Sequence, residues 1–182
     1  MRLRLHRLVW CVPFLSSAAY ATDKTRGDDF FFVEENSRLP ASNEQPGTSS
    51  TGVNLVDVDG DGDLDVFLVN GTAGLEARPN FLWINDGKGH FRDESAVRLP
   101  QGRDANSTKA DFADVDGDGD LDAVVANVGP EQLLLNDGAG NFRDASEQLP
   151  RGLDLFSDIS ANIHFADVDG DGCPDILVSN EN

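Results

Sequence analysis

The chain is poor in cysteine, in basic residues and in long apolar runs, and each scarcity excludes something. It has two cysteines in 182 residues. Cys11 falls within the apolar N-terminal segment and only Cys173 lies beyond it, so no disulfide framework can form within the chain once that segment is removed. Fourteen Lys and Arg face 33 Asp and Glu, a formal net charge of −19, which argues against nucleic acid as a partner. No stretch reaches the roughly 20 apolar residues that a membrane span needs, and none is expected. Catalytic contexts are missing too. No nucleophile elbow frames a serine, and neither histidine recurs: His90 aligns with Asn141, and His164 with Asp111 and Asn54. The chain is therefore expected not to be an enzyme.

What the N-terminus does have is MRLRLHR followed by LVWCVPFLSSAAYA, a basic stretch, an apolar stretch and an Ala19-Tyr20-Ala21 ending. This is the layout of a secretory signal peptide over residues 1–21, cleaved after Ala21. The apolar stretch continues past Cys11, which excludes a lipoprotein site there. The mature chain, residues 22–182, is expected to be secreted, periplasmic or displayed at the cell surface. Arg26-Gly27-Asp28 spells RGD close after the cleavage point and reads as a chance occurrence in a terminus.

Without the leader, 11 basic residues remain against 33 acidic ones, a net −22, and fourteen of the acids sit in three short loops. These read DVDGDGDLD from Asp57 to Asp65, DVDGDGDLD from Asp114 to Asp122, and DVDGDGCPD from Asp167 to Asp175. Carboxylates at positions 1, 3, 5 and 9 converge on one hard cation if the backbone coils tightly, and glycines at positions 4 and 6 permit the positive φ that coiling needs. The expected calcium ligands are Asp57, Asp59, Asp61 and Asp65; Asp114, Asp116, Asp118 and Asp122; and Asp167, Asp169, Asp171 and Asp175. Position 7, occupied by Asp63, Asp120 and Cys173, is expected to offer only its backbone carbonyl, so its side chain can vary. An EF-hand shares the opening but needs a bidentate Glu at position 12, where this chain has Leu68, Val125 and Val178. Four or five carboxylates in nine residues repel one another, so folding is expected to depend on the metal.

Each loop is followed by a short β-branched or apolar run, VFLVN, AVVAN and ILVSN, which reads as a strand. A second motif travels with the loops: FLWINDGKGHFRDES from Phe81 matches QLLLNDGAGNFRDAS from Gln132, each two strands around an Asn-Asp-Gly turn. Units end at Pro40, Pro100 and Pro150 in RLP, RLP and QLP. Phe32, Phe91 and Phe142, with Trp83 opposite Leu134, read as core between units. Loop starts at 57, 114 and 167 give a repeat of 57 and then 53 residues, four strands to the unit. Four short antiparallel strands per repeat predict a blade of a β-propeller. The fold class is thus all-β, a partial propeller of about three blades with the last incomplete. Its repeats span roughly residues 30–40, 51–100, 107–150 and 160–182.

In its D-x-D-G-D-G-x-x-D loop and its NDGxGxF hairpin the chain resembles the FG-GAP or VCBS repeat family, the kind of repeat that builds the integrin α-subunit propeller, over residues 30–182. The resemblance implies calcium at positions 1, 3, 5 and 9 of each loop. It also implies a role in adhesion or in binding an extracellular protein or glycan. The alternative is the non-catalytic propeller portion of a larger secreted enzyme. Two complete blades are fewer than a closed propeller needs, and a truncated reading frame is the expected reason, ahead of completion by assembly.

Alternating connections put the acidic loop and the Asn-Asp-Gly turn at one end of each blade. The other end carries what varies, including a six-residue insertion in the connector of the first blade (Gly71 to Pro79). Arg78, Arg103, Asp104 and Arg151 are the candidate contacts there, although ordinary variable surface is the plainer reading.

Overall fold

A computed structural model describes residues 9–13, 30–34, 36–41, 50–71, 77–102, 105–150 and 159–181. Ala21, Arg26 to Asp28, Arg103, Asp104 and Arg151 lie outside these residues. β1 (Val9–Pro13) pairs antiparallel with β2 (Phe30–Glu34), with Val9 opposite Glu34 and Pro13 opposite Phe30. β1 falls within the segment expected to be a leader, since an apolar, β-branched VWCVP suits a strand as well as a signal sequence.

The first repeat forms β3 (Ser50–Val56), β4 (Asp65–Asn70), β5 (Phe81–Asn85) and β6 (Phe91–Asp93), hydrogen-bonded in sequence order as a four-stranded antiparallel sheet. The second forms β7 (Ser107–Ala113), β8 (Asp122–Asn127), β9 (Gln132–Asn136) and β10 (Phe142–Asp144) in the same order. The third contributes β11 (Ile159–Ala166) and β12 (Asp175–Glu181). This is the partial propeller that the repeat predicts: two blades of four strands and one of two. Single helical turns at Ser95–Arg98 and Ser146–Gln148 follow the fourth strands. Among the described residues no helix is long and apolar enough to cross a membrane.

Register repeats with the sequence. Val66 opposes Trp83 as Ala123 opposes Leu134, and each first strand carries an irregularity at the same place, between Ser50 and Gly52, Ser107 and Lys109, and Ser160 and Asn162. In the first blade the Thr51 hydroxyl at that irregularity donates to Val69 O and to Ser107 O at 2.8 Å, which ties one blade to the next. The first strands pack in succession, β3 on β7 and β7 on β11.

Alternation sends opposite faces of each strand into different joints. Phe67, Val69, Leu82 and Ile84 of the first blade meet Ala110, Ala123, Val125, Leu134 and Phe142 of the second, with Phe67 edge-on to Phe112 at 5.5 Å. Val66, Leu68, Phe81 and Trp83 point the other way, where Leu39 and Phe91 cover them. Val124 and Ala126 take Ile163 from the third repeat. Leu134 and Phe142 are thus inter-blade core as read from the sequence, whereas Trp83 and the half-buried Phe91 pack on the other face of the first blade against Leu39, with no second blade there among the described residues; the side chain of Phe32 lies outside the described residues. Phe67 is fully buried, and its truncation to Ala is worth about 3–5 kcal/mol.

Candidate metal centre

Each acidic loop is shaped by its own carboxylates before any ion is considered. At position 1, Asp57 accepts the N–H of Gly60 (2.8 Å) and Gly62 (3.0 Å); Asp114 and Asp167 do the same for Gly117 and Gly119, and for Gly170 and Gly172. At position 5, Asp61, Asp118 and Asp171 accept the N–H of residue 7. At position 9, Asp65, Asp122 and Asp175 accept the N–H of residue 2. All six loop glycines have positive φ, from 71° at Gly60 to 97° at Gly119, which the tight coil requires. The N–H dipoles offset part of the repulsion among the loop carboxylates.

Three carboxylates converge in each loop. Oxygens of Asp57, Asp59 and Asp61 lie within 4.8 Å of one another, as do those of Asp114, Asp116 and Asp122, and those of Asp167, Asp169 and Asp175. Each trio belongs to the expected set of four; Asp65, Asp118 and Asp171 stand outside it. An all-carboxylate oxygen set of this kind fits a hard cation. Asp59 Oδ1 is buried with no hydrogen-bond partner, as a ligand oxygen would be.

The ninth residue is also structural. Asp65 and Asp122 are buried, and each accepts the first N–H of its hairpin at 2.8 Å, from Asn85 and Asn136. Desolvation, only partly countered by those N–H donors, pushes Asp65 up to about 6 and raises Asp122 as well. Asp59 is raised by burial and by Asp61, against the pull of Arg98. At position 7 the side chains of Asp63 and Asp120 lean over the hairpin glycines: a Cβ on Gly87 would lie 2.5 Å from Asp63 Oδ2, and one on Gly138 would collide with Asp120. Their third counterpart, Cys173, is exposed, and the charge of Asp171 raises its thiol pKa.

The hairpin lies against the loop at the expected end. Asn85 Nδ2 donates to Leu64 O at 3.0 Å, and Asn136 Nδ2 to Leu121 O at 3.2 Å. Asn136 also reaches back to Val58 O at 2.8 Å, so the second blade's hairpin grips the first blade's loop. The two histidines among the described residues are exposed. His90 pairs with Asp86 at 3.4 Å, where Asn141 bonds Asp137, and His164 lies against Asp111 and Lys109.

Two further features escaped the sequence. Arg98 Nε bonds Glu94 at 2.6 Å, its Nη2 lies 3.6 Å from Asp59 Oδ2, and its Nη1 donates to Ala139 O in the next blade's hairpin. Arg38 donates to Lys88 O, the matching carbonyl one blade earlier, at 2.9 Å. The recurring Arg-Leu-Pro at 38–40 and 98–100 was its visible signal. At the other end of the blades runs a buried polar chain. Asn70 N–H donates to Asn80 Oδ1, Asn80 Nδ2 to Ser107 Oγ, and Ser107 Oγ to Asn127 Oδ1 at 2.8 Å. Arg78 is half-buried there and its N–H bonds Ala105 O. Beside it a cleft of about 420 Å³ opens between the first two blades, lined by Asn80, Phe81, Ser95, Gln101 and Gln132.

No curated protein matches the chain. The pattern of the FG-GAP-like repeat matches residues 57–125 and again 114–178, each match running from one acidic loop through the strand after the next. The two together take in about two thirds of the sequence, and with the blades and loops they mark out, the chain belongs to the FG-GAP-like repeat family.

Proposed function

We propose that the chain is an exported calcium-binding propeller module that presents its loop-variable end to an extracellular protein or glycan. The observation that carries the calcium reading is the gathering of three carboxylate oxygens within 4.8 Å in each of three loops. Calcium, with six to eight oxygen ligands and tolerant geometry, suits such a set better than magnesium, whose small octahedral shell keeps most of its water. In the second loop, whose trio takes in position 9, a bound ion would cross-link the start and end of the loop and through Asp122 would brace the hairpin. Its role is structural, and the chain supplies no step of chemistry around it.

Recognition is assigned to the opposite end, where the 420 Å³ cleft lies beside the buried chain from Asn70 to Asn127. Calorimetric titration of the protein with calcium and with magnesium tests the metal reading. The expected result is about three calcium ions per chain with dissociation constants on the order of 0.1–1 mM. Equal preference for magnesium would contradict it.

A further inference from the structure

We infer that Arg98 is an internal competitor for the cation of the first loop, which makes the three loops unequal and ties occupancy of the first to the joint between the first two blades. The inference rests on the calcium reading above. Arg98 and Asp59 are both largely buried, their side chains 17% and 16% exposed, so solvent screens their attraction poorly. The guanidinium donates to two acceptors, Glu94 of its own turn and the Ala139 carbonyl of the second blade's hairpin, and forms an ion pair with Asp59 of the first loop at 3.6 Å. Asp59 is also one of the three carboxylates that would share the cation. A calcium ion and a guanidinium drawing on the same carboxylate repel each other. The ion therefore binds the first loop against Arg98 or shifts it off a contact that bridges two blades.

The other loops lack this feature. Gln148 stands at the position of Arg98 in the link after the second blade, and among the described residues no cation pairs with Asp116 or Asp169. The trio of carboxylates differs in the same way. In the second and third loops it takes in position 9, and in the first, where Arg98 lies on Asp59, it takes in position 5 instead. Arg38, on the matching hairpin carbonyl one blade earlier, marks the hairpin contact as a repeated device. At Arg98 a loop carboxylate is added to it.

Calorimetric titration of the whole chain with calcium chloride tests this. Two tighter sites and one about fivefold to tenfold weaker are expected, the scale of a unit charge acting on a divalent ion through partly screened surroundings. Asp59→Asn should abolish the weak class and leave the tight pair. Arg98→Gln, which copies Gln148, should bring the weak site level with the others. Arg143→Gln, the same charge change on β10, should leave it weak. Three equal sites in the parent, loss of a tight site in Asp59→Asn, a weak site unmoved by Arg98→Gln, or an equal gain from Arg143→Gln would each overturn the role of Arg98 while leaving calcium binding intact. No calcium heat in any form would overturn both.

Discussion

The carboxylate of Asp122 accepts the backbone N–H of Asn136 at 2.8 Å, fastening the last residue of the second acidic loop to a hairpin fourteen residues on. Its other oxygen accepts the N–H of Val115 at 3.0 Å. Both donors lose their partner in Asp122→Ala, so unfolding in EDTA should be easier by about 2–4 kcal/mol, with roughly half that cost in Asp122→Asn. Asp118, exposed and bonded only to Asp120 N–H, should behave differently. Asp118→Ala is expected to cost under about 1 kcal/mol in EDTA while lowering calcium affinity. Urea denaturation with and without calcium separates the two, and an Asp122→Ala variant as stable as the parent in EDTA would reject the fastening.

Position 7 offers a sharper contrast. Asp120 is surrounded by acids, with burial and then Asp118 and Asp114 raising its pKa. Asp120→Ala should leave calcium affinity nearly unchanged and raise, not lower, the melting midpoint in EDTA. Gly138, at φ 77° beneath that side chain, cannot take a Cβ freely. Gly138→Ala should cost about 1–2 kcal/mol from the backbone alone, plus a crowding part that vanishes in the double variant with Asp120→Ala. Strict additivity of the two would mean that the carboxylate and the glycine do not touch.

These contrasts mark where the sequence could be read and where it could not. Loop, strand and hairpin were legible because each is written within about fifteen residues and repeated. The end at which loops and hairpins meet followed from strand alternation alone. The second role of Asp65 and Asp122 was hidden because a carboxylate that binds a metal and one that caps an N–H look alike in sequence. The chain from Asn70 through Asn80 and Ser107 to Asn127 was hidden for another reason: its central bond joins residues 27 positions apart. The same holds for Arg98 and Ala139, 41 apart, and for Asn136 and Val58, 78 apart. Nothing local in an asparagine says that it will be buried between blades.

The raised pKa of Asp65 makes the metal-free protein sensitive to pH. Its folded value of about 6 lies above the ordinary carboxylate value of 3.8, so the proton stabilises the fold. That contribution is complete below pH 3.8 and is lost as the pH rises through 6. Asp86 and Asp137 are shifted down by hydrogen bonds, so they stay ionised between about pH 5 and 7 and do not mask the effect. In EDTA the melting midpoint should rise as the pH falls from about 7 to 5, and Asp65→Asn should flatten that slope. Calcium favours the ionised carboxylate and should reverse the trend. A parent slope identical to that of Asp65→Asn would show that burial does not perturb this group.

Metal removal is the broadest test. Binding to the folded state alone stabilises by RT ln(1 + [L]/Kd), so at calcium ten times above Kd each site adds about 1.4 kcal/mol and three add about 4 kcal/mol. That is a large share of a marginal domain's stability. The internal N–H donors of Asp57, Asp114 and Asp167 hold the coils without an ion, so EDTA should lower the melting midpoint without abolishing the cooperative transition. The three loops should also differ in hydrogen exchange. The first is gripped by Asn136 and Arg98 of the joint, whereas every residue of the third but Pro174 is exposed, so amides of the third loop should lose protection first in EDTA. Melts in EDTA and in millimolar calcium that share one midpoint would mean that the loops are solvated turns holding no ion.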